Sequence, residues 1–336
     1  MRYFIWFWTR VIREAFAIVF RRRRETRRAY RLLDEIAVQF KGRFNPDIRR
    51  KVAVSYGIYL PMVCQPFARL AGRTISEVEK RRFILYFICS SVFDDFTDRG
   101  LLSEAELYAL SFRYQQPPGQ DFDQRVFKAC HHQLREAVMD RAGYDDVSRR
   151  LYEAQQQSRA QYRSRLSREE IRKITFDKGG YAVQLCSFYL DQETDQAVRD
   201  CWYQLGALIQ LTNDLYDIHK DLQDEIVTLP NTMMDAAAFE QFFNVEIAAM
   251  KDRISRLPYA SHRKQDFSLS MAGIYAFGLI AIRQLKTIQN RAAHMPDMHK
   301  VKRRQLIIDM ERPANLLRWF TYTYRYARLR GLDSVK

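Results

Sequence analysis

Carboxylates recur at helical spacing in two stretches of this chain, and each stretch follows directly on an apolar run. The first is Ser91-Val-Phe-Asp-Asp-Phe-Thr-Asp98, in which Asp94 and Asp98 stand four apart and share one face of a helix. In the second, Asn213, Asp217 and Asp221 repeat at i, i+4 and i+8, drifting only about 40° per step at ~3.6 residues per turn. The apolar runs are Phe83-Ile-Leu-Tyr-Phe-Ile88 and Leu205-Gly-Ala-Leu-Ile209. Burying an unpartnered carboxylate is costly, and two such clusters around one cavity would repel unless hard cations lay between them. Mg²⁺ suits that place, because it takes one or two carboxylates and completes its octahedron with water and substrate phosphates. The spacing therefore predicts a two-walled, Mg²⁺-bridged diphosphate site in a helical bundle.

The rest of the chain agrees with a helical fold. Only 12 Gly and 9 Pro occur in 336 residues, and alternating β-branched runs are few. A hydrophobic content of 47% supports a sizeable core. The five cysteines are dispersed without a CxxC or zinc spacing, as expected of reduced thiols in a cytoplasmic protein. Net charge is +15, which suits an anionic partner. No base-reading module accompanies the run Arg21-Arg-Arg-Arg24, which argues against nucleic acid.

Residues 1–44 read as a basic amphipathic segment and residues 45–336 as one all-α domain. Within the first, Phe4, Trp8, Val11, Ala15 and Val19 recur at helical spacing ahead of the arginine run. Two readings stand side by side: a helix docked on the bundle, or peripheral contact of residues 1–24 with the inner face of a membrane. Asn45-Pro46 predicts a helix start, with an interruption at Pro61. Capping boxes are predicted at Thr74–Glu77, Ser103–Glu106 and Ser167–Glu170. Gly100 offers a stop to the helix that bears Asp94 and Asp98. Pro117-Pro-Gly119 predicts a loop and Gly143 a break. Gly179-Gly180, inside a helical pattern, predicts a kink or a close backbone approach.

Asp94-Asp-Phe-Thr-Asp98 resembles the DDxxD motif of class I isoprenoid synthases. Asn213-Asp-Leu-Tyr-Asp-Ile-His-Lys-Asp221 resembles their second metal motif, (N/D)DxxSxxKE, with Asp217 for the Ser/Thr and Asp221 for the Glu. The resemblance spans roughly residues 45 to 330. It implies an all-α, single-domain helical bundle with a central active-site cavity. It also implies three Mg²⁺ ions per site, with Mn²⁺ as an alternative, held by Asp94, Asp95, Asp98, Asn213, Asp217 and Asp221. Arg172, Lys178, Lys220, Arg325 and Tyr326 are the implied diphosphate-binding groups. A homodimer is compatible with it.

The activity so implied is that of a terpene synthase acting on one prenyl diphosphate. The alternative is a prenyl-condensing enzyme. Asp217 departs towards the aspartates of such enzymes, and Thr228-Leu-Pro230 is similar to the turn that follows the second motif of head-to-head squalene and phytoene synthases. Gly42-Arg43 with Arg49-Arg50 only partly matches the Gly-Lys-x-x-Arg stretch of head-to-tail enzymes. A non-catalytic basic protein that binds membrane or nucleic acid is the third reading, and both carboxylate sets speak against it.

Overall fold

Local capping sets most helix starts in this protein. The computed structural model describes residues 2–117, 119, 121–162 and 165–329, and among these the fold is all-α, with no strand. Met1 and Pro118 lie outside the described residues. The chain divides into two compact units, Met1–Tyr144 with Phe188–Gln192, and Asp145–Ser187 with Glu193–Lys336.

The first unit opens with α1 (Arg2–Gln39). Asn45 then caps α2 (Pro46–Tyr59), its side chain accepting the Asp47 amide at 2.9 Å while Pro46 fills the first turn. Pro61 interrupts the α-helical winding without ending it. It sits in a π turn, Leu60–Cys64, that leads into α3 (Gln65–Leu70). The next helix, α4 (Glu77–Asp98), is capped by Ser76 and not by Thr74. Ser76 Oγ accepts the Glu79 amide at 3.2 Å, and Glu79 accepts the Ser76 amide at 2.7 Å. The fully buried Glu79 also accepts the Asp191 amide at 2.6 Å and pairs with Arg73. This extra demand on its carboxylate explains why the later of two overlapping box patterns is used. At the other end Gly100 takes φ +60°, and the Leu101 amide returns to Phe96 O at 3.0 Å. Ser103 and Glu106 form the expected box at the start of α5 (Glu104–Phe112). α6 (Phe122–Ala137) packs on α4, which also packs on α2.

α7 (Arg141–Ser158) contains Gly143 in its first turn, so no break occurs there. Asp140 Oδ1 accepts the Gly143 amide at 2.8 Å and supplies the cap. In the second unit Ser167 and Glu170 cap α8 (Arg168–Leu185), and Asp195 caps α9 (Gln196–Gln223). α10 (Ala236–Arg256) and α11 (Ser261–Gln289) follow, then the short α12 (Arg303–Leu306) and α13 (Pro313–Ala327). α11 is long and apolar enough to cross a membrane by length and composition, but 78% of that stretch is buried inside the protein. It packs against α9, α10 and α13, and forms the centre of this unit. All five cysteines are buried and none forms a disulfide.

Candidate functional site

α9 is positioned by glycines. It meets α8 where Gly206 faces Gly179 and Gly180. A Cβ on Gly206 would lie 2.2 Å from Gly179 O and 2.9 Å from Gly180 Cα, and one on Gly179 would lie 2.5 Å from Gly206 O. The pair Gly179-Gly180 therefore serves a close approach, and α8 runs through it unbroken. Side chains one to two turns further along meet beside this crossing. Thr175 Oγ1 of α8 donates to Asp214 Oδ2 of α9 at 3.4 Å, and Gln210 Nε2 donates to Asp214 Oδ1 at 2.8 Å.

Asp214 is the residue that the spacing argument passed over. It is buried together with Asp221, whereas Asn213, Asp217 and Lys220 are exposed. Leu211, Leu215 and Ile218 carry the buried seam of α9, and the i, i+3, i+7 rhythm of that seam takes in Asp214 and Asp221. The signal was the second residue of the Asn213-Asp214 pair.

The titration of this face follows from its burial. Burial, then the neighbouring Asp214 and Asp217, push the Asp221 carboxyl up to about 7 against the opposing pull of Lys220. Asp214 is pushed up to about 6, chiefly by burial; Gln210, Lys178 and Thr175 oppose the rise and Asp217 adds to it. Asp217, though its side chain reaches solvent, is raised by the partial desolvation it keeps on this face, with Lys220 opposing. These carboxyls repel one another, and the nearby positive groups are Lys178 and Lys220. Carboxylate oxygens of this kind are the donors that hard divalent cations take. Among the described residues no three His, Cys, Asp or Glu side chains gather as a group that could hold a metal ion.

The first motif lies in the other unit, on the last turns of α4. Lys51 Nζ of α2 stands 2.6 Å from Asp94 Oδ2. Asp95 pairs with Arg99 at 3.2 Å, one turn on. Asp98 is exposed. Thr97 turns its hydroxyl back to the helix, donating to Asp94 O at 2.9 Å. A further acid, Asp123 of α6, is pushed up to about 6 by burial, by Asp121 and by Asp95, with Arg99 opposing. Sequence reasoning had no means of adding it, because the packing of α6 on α4 is a tertiary fact.

The basic residues separate by role. Lys178 and Lys220 accompany the α9 carboxylates. Arg172 does not: it pairs with Glu169 at 3.1 Å and with the buried Glu246 of α10 at 3.3 Å, and lies 4.6 Å over the Phe176 ring. Arg325 and Tyr326 line an open groove of about 640 Å³ between α10 and α13, together with Asn244, Lys251 and Arg328. Tyr326 donates to Asn244 Oδ1 at 2.6 Å. The lining of this groove includes no α9 carboxylate. After α9 the Thr228-Leu-Pro230 turn is pinned by Asn231, whose side chain accepts the Thr228 amide at 2.9 Å and donates to Ile226 O at 2.8 Å. No family model, curated protein or solved structure matched the chain.

Proposed function

We propose that the protein is a Mg²⁺-dependent class I terpene synthase, which ionises one prenyl diphosphate and converts the allylic cation to a terpene hydrocarbon or alcohol. The observation that carries the reading is the acidic face of α9. There Asp214 and Asp221 are buried and raised by burial and by neighbouring carboxylates, with the more exposed Asp217 and with Lys178 and Lys220 beside them. Neighbouring buried carboxyls that repel one another cost a helix stability, which supports a role for them beyond packing. In this reading Asp94, Asp95 and Asp98 on α4 would be metal ligands, as would Asn213, Asp217 and Asp221 on α9, with Asp214 as a further oxygen donor on α9. Bound there, Mg²⁺ supplies the Lewis-acid stabilisation of charge on the departing diphosphate.

The remaining work belongs to the chain. Lys178 and Lys220 donate to diphosphate oxygens as the bond to carbon lengthens. Lys51 pairs with Asp94 and would compete with a cation for that carboxylate. The buried Thr175 and the half-buried Gln210 hold Asp214 in one orientation, so its second lone pairs stay available. One observation favours prenyl condensation as the second reading: Asp217 and Asp221 form the DxxxD spacing on α9 in place of a Ser/Thr and a Glu.

The test measures pyrophosphate release from farnesyl diphosphate by the wild type, Asp94→Ala and Asn213→Ala. Both positions lie away from the buried core, so circular dichroism should be unchanged while turnover falls by about a hundredfold or more. Wild-type rates in either variant at limiting Mg²⁺ would remove that residue from the metal site.

A further inference from the structure

α1 has two apolar faces, and its own unit covers one of them. Phe7, Val11, Ala29, Leu32, Leu33 and Ile36 are buried. A second stripe, Ile5, Ile12, Phe16, Val19 and Phe20, stands open to solvent, with Phe16 64% and Phe20 70% exposed. These residues follow the i, i+7, i+11, i+14, i+15 rhythm of one helix face, and Arg23 and Arg27 continue it, both exposed. The stripe differs from the one that the sequence suggested, since Val11 points into the core.

The charge around this stripe is of one sign. The acids among residues 2–33 are Glu14 and Glu25. Glu14 is held by Arg69 at 2.5 Å. Glu25 is buried, accepts from Tyr56 at 2.9 Å and pairs with Arg28 at 3.0 Å. Neither acid shares the open face, whereas Arg13, Arg22, Arg23, Arg24 and Arg27 are exposed.

From this pattern we infer that α1 docks the protein on an anionic lipid surface, lying in the interface with Ile5, Ile12, Phe16, Val19 and Phe20 towards the acyl chains and Arg23 and Arg27 among the headgroups. An aromatic and aliphatic stripe gains from entering the boundary between headgroups and acyl chains, and the arginines gain from anionic headgroups. Nucleic-acid phosphates would use the arginines and leave the stripe in water. A second copy of the chain would cover the stripe, but it would bring together two molecules of net charge +15. The inference is independent of the chemistry proposed for the acidic helices.

The experiment is flotation of the full-length protein with vesicles of phosphatidylcholine alone and of phosphatidylcholine mixed with phosphatidylglycerol, at low and moderate salt. Wild-type protein should bind the mixed vesicles at least about tenfold more tightly than the neutral ones, and salt should weaken it. Phe16→Glu/Phe20→Glu should lose more than about tenfold on the mixed vesicles. Arg23→Gln/Arg27→Gln should lose on the order of tenfold there and nothing on neutral vesicles. All four positions are exposed, so circular dichroism should match the wild type. Absence of binding to the mixed vesicles, or equal binding by the wild type and the Phe16/Phe20 variant, would overturn the inference. A wild-type dimer in solution that this variant converts to monomer, with vesicle binding unchanged, would overturn it in favour of a contact between copies.

Discussion

Replacing Asp221 by Asn should stabilise the metal-free protein at neutral pH and change nothing in acid. In the folded chain the Asp221 carboxyl is pushed up to about 7 by burial and by Asp214 and Asp217, whereas an unfolded aspartate titrates near ~3.9. Between those values the native state binds more protons than the unfolded state, so stability is full below about pH 4 and declines as pH rises towards ~7. A gap of about three pH units corresponds to ~4 kcal/mol at ~1.36 kcal/mol per unit. Part of that gap is shared with Asp214, Asp217 and Asp224, whose own charges contribute to it. The net gain on removing one charge is therefore about 2 kcal/mol. Urea unfolding in a chelator measures it: the variant should exceed the wild type by ~2 kcal/mol near pH 8 and match it near pH 4. Added Mg²⁺ should then raise the wild type more than the variant, because a ligand stabilises only the state that binds it. A variant less stable than the wild type near pH 8 in chelator would refute the reasoning, since it would mean that a native partner holds the Asp221 carboxylate.

Two further substitutions probe the supports of the two acidic groups. Gly206→Ala places a methyl 2.2 Å from Gly179 O, so α8 and α9 must separate, at a cost of about 2–3 kcal/mol. An unchanged denaturation midpoint would show a looser crossing. Lys51→Met removes an ion pair whose partners are 49% and 27% exposed, so stability should move by less than about 0.5 kcal/mol. The same variant should bind Mg²⁺ several-fold more tightly by calorimetry, on the order of 1 kcal/mol, because a competing cation has left Asp94. Weaker binding would make Lys51 a helper of the site.

Much of this fold could be read from short patterns whose physics is local. The Asn45-Pro46 start, the Ser103 and Ser167 boxes and the Gly100 stop each depend on a few neighbouring residues, and each occurs where expected. Thr74 and Gly143 were misread because the deciding partner came from elsewhere: the buried Glu79 with Asp191, and the Asp140 cap. The α1 stripe was misread for a different reason. Most steps from Phe4 through Trp8, Ala15 and Val19 are fours, and a step of four advances a little more than one turn. The set therefore runs from the covered face at Val11 to the open face at Val19.

The same drift explains the acidic helix. Stepping by four from Asn213 keeps exposed Asn213 and Asp217 with buried Asp221, and passes over Asp214, which the seam through Leu211, Leu215 and Ile218 draws inward. Gly179-Gly180 was legible as a close approach or a kink, and only the presence of Gly206 opposite decides between them. The roles of Arg172 and of Arg325 with Tyr326 were beyond spacing, because their partners Glu246 and Asn244 belong to α10.

The proposed activity is tested most directly by incubating purified full-length protein and Mg²⁺ with geranyl, farnesyl, geranylgeranyl and geranylfarnesyl diphosphates. Each is offered with and without isopentenyl diphosphate, and products are read by mass spectrometry. A terpene synthase releases pyrophosphate and a hydrocarbon or alcohol of the same carbon number from at least one substrate, in a Mg²⁺-dependent reaction that does not need isopentenyl diphosphate. Products longer than the substrate would move the chain to the condensing enzymes. No consumption of any substrate, with Mg²⁺ binding also absent, would contradict the assignment of the acidic helices to diphosphate chemistry.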